Sequence, residues 1–291
     1  MSERDTATTD DSSGSSTDGP PAFEEGRYLF CAVRRDRERD GSDDESDSDA
    51  FTATGLEDRP AYLVGDDVAL VVQRVESIYD SDDLTQVRRW LLTHQRVVDE
   101  AGNAFGTPLP FRFDTIVPGS DEDVIDWLTD HRETIDEALA FLDGRWEYRI
   151  EILWDESAVT EEITAEDSVL QDLDRRRESA GTGTAFMLEK QYERELRRRL
   201  SERREELARE LGDALRETAV EVERQKETTS TLGDADTGDE DTVVRFSVLA
   251  DRDREDDLGG HLDEIASRPN YEVRFTGPWP PYTYAPTIGE E

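Results

Sequence analysis

Residues 145–153 read Arg-Trp-Glu-Tyr-Arg-Ile-Glu-Ile-Leu, and this stretch decides the class of fold. Large apolar side chains alternate with charged ones along it, at Trp146, Tyr148, Ile150 and Ile152. A period of two places the apolar set on one side of an extended chain and the charged set on the other. The stretch therefore predicts a β-strand with one buried face.

The residues after this strand predict three helical segments and two further strands. The helices are expected near 160–177, at 185–226 and at 257–266, and the strands at 242–249 and 271–276. The order strand, long helical excursion, strand, helix, strand is typical of an antiparallel sheet with helices on one face. We expect residues 145–284 to form an α+β domain that resembles a modified ferredoxin-like fold with a long helix.

The predicted helix at 185–226 carries a single apolar stripe. Its leucines recur at spacings of four or seven residues, and include Leu196, Leu200, Leu207 and Leu211. Glu and Arg at i,i+3 and i,i+4 spacings occupy the other faces. Strict heptads are not sustained, which favours packing on the chain's own sheet over an intermolecular coiled coil. Docking of a partner helix on the far end stays open.

Residues 26–144 predict an N-terminal α+β domain. Strands are expected at 27–34, 61–75 and 111–117, and the turn at 65–67 divides the second of them into a hairpin. Helices are expected at 84–101, ended by Gly102, and at 121–142, between an N-cap at Ser120 and a stop at Gly144. Each domain is predicted to be an antiparallel or mixed sheet with helices packed on it.

Three acidic stretches flank or interrupt these elements, at 1–25, 35–50 and 227–241. They contain too few apolar residues to bury a core, so they predict a disordered tail and two inserted loops. A folded body tolerates long surface loops at a modest entropic cost. A short tail at 285–291 is expected to follow the C-terminal domain.

The formal net charge of the 291 residues is −39, and Lys190 and Lys226 are the two lysines. Such a chain is either disordered or a folded protein with a carboxylate coat that keeps it soluble. Acidic residues with few lysines are typical of extreme halophiles, and molar salt shortens the Debye length to about 3 Å. The well-patterned apolar segments favour the folded, halophilic interpretation.

The same composition argues against several classes of partner and compartment. A duplex DNA binder needs a basic face, so no nucleic acid partner is expected. No stretch approaches about 18 apolar residues, so no membrane insertion is expected. A single cysteine, Cys31, fits a reducing cytoplasm.

The sequence offers few groups for catalysis or ligand binding. His94, His131 and His261 lie on separate predicted helices without a metal-ligand spacing. The stretch at 181–184, Gly-Thr-Gly-Thr, lacks the lysine of a phosphate-binding loop and predicts the entry to the long helix. No catalytic, cofactor-binding or metal-binding residue is predicted.

The most specific stretch is 275–282, Phe-Thr-Gly-Pro-Trp-Pro-Pro-Tyr. Gly277 permits a turn, and the three prolines stiffen the chain after it. The side chains of Trp279 and Tyr282 therefore extend from a rigid backbone. Two interpretations stay open. The aromatic rings either fold back into the chain's own core, or they form a contact surface for a partner.

This stretch resembles the signature that closes the GvpF/GvpL family of gas vesicle proteins. Residues 108–117, 142–147 and 183–188 are similar to three further family segments, with Asp114 at a position where the family usually has glycine. His94 falls where the family often has a histidine. The matches occur in order over residues 27–284, and the length and acidic loops are most similar to the GvpL members of halophiles.

The resemblance implies a non-enzymatic accessory or minor gas vesicle protein, without a cofactor, in the cytoplasm and associated with gas vesicles. We expect an adaptor that binds the shell subunit and other accessory proteins during assembly. Alternatives are a structural component of the vesicle wall and a small-ligand-binding enzyme on a ferredoxin-like scaffold. The predicted partner contacts are Phe275, Trp279, Tyr282, Leu196, Leu200, Leu207 and Leu211.

Overall fold

The computed structural model describes residues 24–35, 51–225 and 242–289. These residues form two antiparallel sheets with helices packed against them, which confirms the predicted α+β class. Almost all of the acidic stretches predicted at 1–25, 35–50 and 227–241 lies outside the described residues.

The N-terminal sheet has six strands in the order β2-β3-β4-β1-β5, with β6 also paired to β1. The strands are β1 (Gly26–Arg34), β2 (Thr52–Thr54), β3 (Pro60–Gly65), β4 (Val68–Val75), β5 (Leu109–Pro110) and β6 (Ile116–Pro118). Its helices are α1 (Leu84–Phe105), α2 (Asp121–Asp130) and α3 (Arg132–Leu142). Helix α1 covers one face of this sheet, and α2 and α3 cover the other, so β1 is buried on both sides.

The C-terminal sheet has four strands in the order β10-β7-β9-β8. Its elements in chain order are β7 (Arg145–Trp154), α4 (Glu156–Glu166), α5 (Ser168–Ser179), α6 (Thr182–Leu215), β8 (Glu221–Gln225), β9 (Thr242–Asp251), α7 (Glu255–Ala266) and β10 (Tyr271–Trp279). The alternation predicted for 145–153 is confirmed, because Trp146, Tyr148, Ile150 and Ile152 all lie in one core under α4, α6 and α7.

The other face of the C-terminal sheet is turned toward the N-terminal sheet. Leu249 of β9, which pairs with Glu147 of β7, is buried in the N-terminal core. Trp146, at the start of β7 and on the opposite face, also contacts the N-terminal half of the chain, at Gly102 of α1. Residues 285–289, predicted as a tail, lie along the same surface, and Ile288 is buried against the N-terminal core. The division of the chain at Gly144 into two domains stays a prediction.

Helix α1 continues past the predicted stop at Gly102 and ends at Gly106, whose φ is +90°. The prediction of a stop was wrong because Gly102 has a packing role instead. A Cβ at this position would lie 3.0 Å from the ring of Trp146. Glycine therefore allows β7 to approach the helix.

Two predicted helices are each divided in the structure. The helix expected at 121–142 breaks at His131, whose φ of −104° and ψ of 8° leave the helical range, whereas the predicted N-cap at Ser120 is confirmed. The segment expected near 160–177 breaks at Asp167, whose carboxylate accepts hydrogen bonds from the first amides of α5. Such a cap satisfies amides that have no partner within the helix, and it begins a new helix.

The strand predicted at 111–117 is interrupted. Asp114 has a φ of +67°, in the left-handed region, so the chain turns away from β1 after β5 and rejoins it at β6. This position is the one at which the resembling family usually has glycine. The carboxylate of Asp114 compensates for the strained backbone by accepting a hydrogen bond of 3.1 Å from the amide of Tyr79.

The long helix begins and ends earlier than the predicted 185–226. It spans Thr182–Leu215, about 50 Å at 1.5 Å per residue. Residues 221–225 are strand β8, which pairs with β9, and the amide of Val220 donates to the carbonyl of Leu249 at 2.8 Å. The helical prediction failed here because the hydrogen-bonding edge of β9 lies far along the chain.

Candidate protein-interaction site

Residues 277–279 end β10. Residues 280–289, which we name the closing segment, follow them across the surface between the two sheets. The register of β10 against β7 shifts after Thr276, so that Trp279 pairs with Glu147. Gly277 has a φ of +136°, and a Cβ there would lie 2.9 Å from the carbonyl oxygen of Glu147. The glycine predicted as a turn is therefore required both for its backbone angle and for its close approach to β7.

Replacing Gly277 with alanine is expected to lower the free energy of unfolding by about 1–3 kcal/mol, because alanine is strained at this φ and meets the β7 backbone. Denaturant titration in molar KCl measures the change. The matched control is Gly260→Ala in α7, where a Cβ meets nothing within 4 Å and the fold should lose no stability. Equal stability of the two variants would contradict the assigned role of Gly277.

Glu147 holds the closing segment in place. Its carboxylate is fully buried, although it lies on the charged side of the β7 alternation. It accepts hydrogen bonds from the amide of Thr283 at 2.8 Å, the hydroxyl of Thr283 at 2.9 Å and the hydroxyl of Ser247 at 2.8 Å. Arg149 adds an ion pair at 3.2 Å. A buried carboxylate is stable only with such partners, so this network ties the closing segment to the middle of the C-terminal sheet.

Tyr282 carries the closing segment into the N-terminal core. Its ring packs beside His94 of α1, with the ring centroids 6.2 Å apart, and burial raises its pKa well above the ordinary value. The Nδ1 atom of His94 lies 2.7 Å from the hydroxyl of Tyr28. Of the two interpretations for the aromatic pair, Tyr282 agrees with the first, because its partly buried ring packs against the N-terminal core.

The four stretches that resemble the family meet the rest of the chain in different ways. Two of them, the central stretch 108–117 and the domain junction 142–147, lie near the closing stretch 275–282. Phe113 of the central stretch packs against His94, and Glu147 of the domain junction accepts from Thr283. The fourth stretch, residues 183–188, lies at the start of α6, away from this network. Tyr282 and Thr283 thus connect the closing stretch with His94, beside the central stretch, and with Glu147 of the domain junction.

Trp279 and Phe275 differ from Tyr282. Phe275 stacks on Tyr148, with the ring centroids 5.5 Å apart, and packs against the C-terminal core. Trp279 is partly exposed, and its indole nitrogen donates to the hydroxyl of Thr276 at 3.3 Å. Trp279 thus stands at the surface on a backbone held by Gly277 and by the Glu147 network.

The leucines predicted as partner contacts face the chain's own sheet. Leu200, Leu207 and Leu211 are buried in the C-terminal core, and Leu196 packs at its margin. This placement agrees with the predicted packing of the long helix on its own sheet. In this conformation these side chains stabilise the core and present little surface to a partner.

The exposed apolar residues of α6 lie elsewhere on the helix, at Phe186 and Met187. Both residues belong to the stretch 183–188, which resembles the family's entry to the long helix and for which no contact is predicted. For Met187 the available signal was its position outside the leucine stripe, since an apolar residue off the stripe of an amphipathic helix faces solvent. Phe186 precedes Leu200 by fourteen residues, in register with the stripe, so its exposure could not be predicted from spacing.

The histidine and cysteine side chains considered for catalysis or ligand binding make structural contacts. His131 stacks on Trp127 at 4.3 Å between centroids, and His261 lies 2.9 Å from the hydroxyl of Thr218. Burial raises the pKa of the Cys31 thiol, which is enclosed in the N-terminal core. Within the described ranges, no three metal-binding side chains come together.

Comparison with known proteins decides the family. The sequence profile described as "Gas vesicle synthesis protein GvpL/GvpF" matches residues 26–286, which is most of the chain. The chain belongs to the GvpL/GvpF family. The resemblance carried by the closing stretch and its three companions is thereby confirmed.

Relatives of this GvpL/GvpF chain come from several groups of organisms. It is 44% identical to gas vesicle protein L1 of Halobacterium salinarum, over 91% of this chain and 92% of the relative. It is 42% identical to gas vesicle protein L of Haloferax mediterranei, over 82% of this chain and 74% of the relative. Gas vesicle protein F of a Streptomyces species is 32% identical over 75% and 87% of the two chains. The predicted likeness to GvpL of halophiles is confirmed.

Solved GvpF structures share the fold. The crystal structure of GvpF from Anabaena has a TM-score of 0.68 at 20% identity and covers 91% of this chain and all 100% of the Anabaena chain. GvpF from Microcystis aeruginosa has a TM-score of 0.62 at 18% identity, with coverage of 90% and 99%. At such identities the likeness concerns the fold alone.

Membership in the GvpL/GvpF family connects this chain with gas vesicle formation and associates it with the gas vesicle system. The relatives are named as gas vesicle proteins, and none of these names supports the alternative of a ligand-binding enzyme. Among the helices that the structure describes, none combines the length and apolar character needed to cross a membrane.

Proposed function

We propose that this chain is a non-enzymatic adaptor of gas vesicle assembly, which binds the shell subunit and other accessory gas vesicle proteins in the cytoplasm. Membership in the GvpL/GvpF family supports a role in gas vesicle formation. A strongly acidic body keeps a complex with an apolar client soluble, while a few fixed apolar side chains provide the contact.

The observation that carries this proposal is the mounting of Trp279. Strand β10 is an edge strand that pairs with β7 alone within the described part of the chain. Trp279 stands at the end of this edge, partly exposed, next to a closing segment that Glu147 and Tyr282 fix at two points. A large aromatic side chain on a rigid backbone loses little conformational entropy on binding, which is the usual property of an interface anchor.

The edge position adds a second means of contact. The outer side of β10 presents backbone groups to which an extended segment of a partner can add as a further strand. Glu272 and Arg274, which form an ion pair at 2.8 Å, place charge on this edge. Charged edge residues discourage unspecific pairing, so the partner must match them.

Replacing Trp279 with alanine is expected to reduce capture of gas vesicle proteins by about tenfold or more and to leave the fold intact, because the side chain is only partly buried. The measurement is a pull-down of the tagged protein from vesicle-forming cells lysed in molar KCl, with bound proteins identified by mass. Thermal unfolding of the purified variant is recorded in parallel.

The control is Phe141→Ala. Phe141 is an aromatic residue of α3, the helix beside the N-terminal sheet, and is 40% exposed. It should capture the same proteins as the unaltered chain. If Trp279→Ala unfolds the protein, the residue belongs to the core and the contact is misassigned. If the tagged, unaltered chain captures no gas vesicle protein, the adaptor function itself fails. Retention on washed vesicles would favour a component of the wall.

A further inference from the structure

Helices α5 and α6 differ in charge from the rest of the chain. Residues 168–215, which contain both helices, carry eleven Arg or Lys and eleven Asp or Glu, so their formal charge is zero. The formal net charge of −39 is therefore carried entirely by the other residues. A neutral surface within such an acidic protein is a place where another acidic protein can approach with little repulsion.

The contrast is sharpest on the outer face of the first half of α6. The exposed residues between Thr182 and Arg198 include Lys190, Arg194 and Arg197, and no Asp or Glu. The carboxylates in this range are only partly exposed and pair within the chain. Glu189 pairs with Arg177 at 2.7 Å, Glu193 pairs with Lys190 at 2.8 Å, and Glu195 pairs with Arg198. Arg194 and Arg197 are therefore the cations of this face that form no ion pair with a described residue.

These exposed residues form one stripe, which we name the α6 stripe: Phe186, Met187, Lys190, Arg194, Arg197 and Arg198. Their spacings of three, four and seven place them on the same side of the helix, over about 18 Å at 1.5 Å per residue. Phe186 and Met187 form its apolar end, with 64% and 65% of their surface exposed. Arg194 and Arg197 form no ion pair with any residue that the structure describes.

The α6 stripe has a firm support. Leu188 is buried on the opposite side of α6, and the guanidinium of Arg177 lies 5.6 Å from the ring centroid of Tyr192. The hydroxyl of Tyr192 lies 3.2 Å from that of Thr164 on α4. These contacts fix α6 against α4 and α5, so the α6 stripe is preorganised for binding.

We propose that the α6 stripe is a docking surface for an acidic amphipathic helix of a partner protein. Apolar side chains of that helix would pack on Phe186 and Met187, and its carboxylates would pair with Arg194 and Arg197. Charge complementarity selects this occupant, since a symmetric contact with a second copy of the chain would set one cationic stripe against another. The inference rests on the proposed adaptor function and assigns it a second contact surface.

Salt determines how such a surface works. In molar KCl the Debye length is about 3 Å, so only charges in direct contact interact strongly. The apolar end then supplies most of the affinity, and the cationic residues fix the register and the choice of partner. Methionine adapts to the shape of the apolar side chains it meets, and the phenylalanine ring adds contact area.

Binding of synthetic helices tests the docking surface. One peptide has an apolar stripe with glutamate at the remaining positions, and the second has lysine in place of every glutamate. Fluorescence anisotropy in molar KCl should show that the acidic peptide binds more tightly than the basic one, although both carry the same apolar stripe. The variant with Phe186→Ser and Met187→Ser should bind about tenfold or more weakly, whereas Leu92→Ser, at an exposed position of α1, should bind unchanged.

Charge reversal provides the second arm. The variant with Arg194→Glu and Arg197→Glu should reverse the preference and bind the basic peptide more tightly than the acidic one, with its melting temperature unchanged. The proposal is overturned if the acidic peptide does not bind, if both peptides bind equally, or if Phe186→Ser with Met187→Ser has no effect. If the unaltered chain still captures gas vesicle proteins from cells in any of these cases, the adaptor function stands without this surface.

Cross-linking identifies the natural occupant. Because Cys31 is buried, Met187→Cys provides a single reactive thiol for a benzophenone maleimide. Irradiation in a lysate of vesicle-forming cells in molar KCl should join this position to an acidic amphipathic segment of another gas vesicle protein, and Leu92→Cys should not. Joining to this chain's own sequence, or identical products at both positions, would overturn the proposal.

Discussion

Replacement of Glu147 by alanine is expected to lower the free energy of unfolding by about 3–5 kcal/mol, which is the largest effect of any substitution considered. The change removes the acceptor of the Thr283 amide and of the hydroxyls of Thr283 and Ser247. Buried donors without an acceptor destabilise a fold by their full desolvation energy, and the closing segment loses its attachment to β7. Denaturant titration in molar KCl measures the loss.

The matched control is Glu272→Ala on β10 of the same sheet. The Glu272 side chain is 62% exposed and pairs with Arg274, so its removal should change stability by less than about 1 kcal/mol. Limited proteolysis adds a local readout, because the closing segment of Glu147→Ala should be cleaved sooner than that of Glu272→Ala. Equal stability and equal cleavage would show that Glu147 does not hold the closing segment.

The titration of His94 alone is expected to lower the free energy of unfolding by about 1 kcal/mol between pH 7 and pH 5.5. The loss through His94 should reach about 3 kcal/mol as the pH approaches 4. Burial lowers the pKa of His94 to about 4, whereas an unfolded chain binds that proton near pH 6.5. Between these two values the unfolded chain takes up a proton that the folded chain does not. The contribution of His94 is therefore complete above pH 6.5 and is lost as the pH falls toward 4.

Other groups titrate in this range, so the comparison with His94→Gln isolates the effect. Denaturation midpoints are measured for both proteins from pH 7 to pH 5 at constant molar KCl. The stability of the unaltered chain should decline more steeply than that of the variant. Parallel pH dependence in the two proteins would mean that His94 titrates normally and that its contact with Tyr28 and Tyr282 does not exclude the proton.

Glu147 and His94 anchor the same structure from opposite sides. Glu147 accepts from Thr283, and His94 packs against Tyr282, the residue before it. Two consecutive residues of the closing segment thus contact the two sheets. Trp279 stands a few residues earlier, so loss of either anchor should also disturb the proposed contact surface.

Several features can be predicted from the sequence alone because they depend on near neighbours. The alternation at Trp146, Tyr148, Ile150 and Ile152 predicted a strand, and that strand is the second in its sheet order. The capping pattern at Ser120 predicted the start of α2, where Ser120 and Asp123 form a capping box. Helical and strand periods and caps extend over a few residues, so a single sequence is sufficient to detect them.

The stretch at 275–282 predicted the family and two open roles for its aromatic residues. Both residues are partly exposed, and the tertiary structure separates their surroundings: Tyr282 packs beside His94 with its hydroxyl buried, whereas Trp279 lies at the sheet edge. Sequence could not make this distinction, because both residues are large, aromatic and preceded by proline. The outcome depends on which surface each ring meets after the turn at Gly277.

Only the tertiary structure decided which polar residues are buried and where the elements end. Glu147 belongs to the charged side of its strand, yet its carboxylate is enclosed by Thr283, 136 residues away along the chain. Helix α6 stops at Leu215 because the residues after it find the edge of β9. Local patterns describe what each segment can form, and contacts between distant segments determine which form has the lowest free energy.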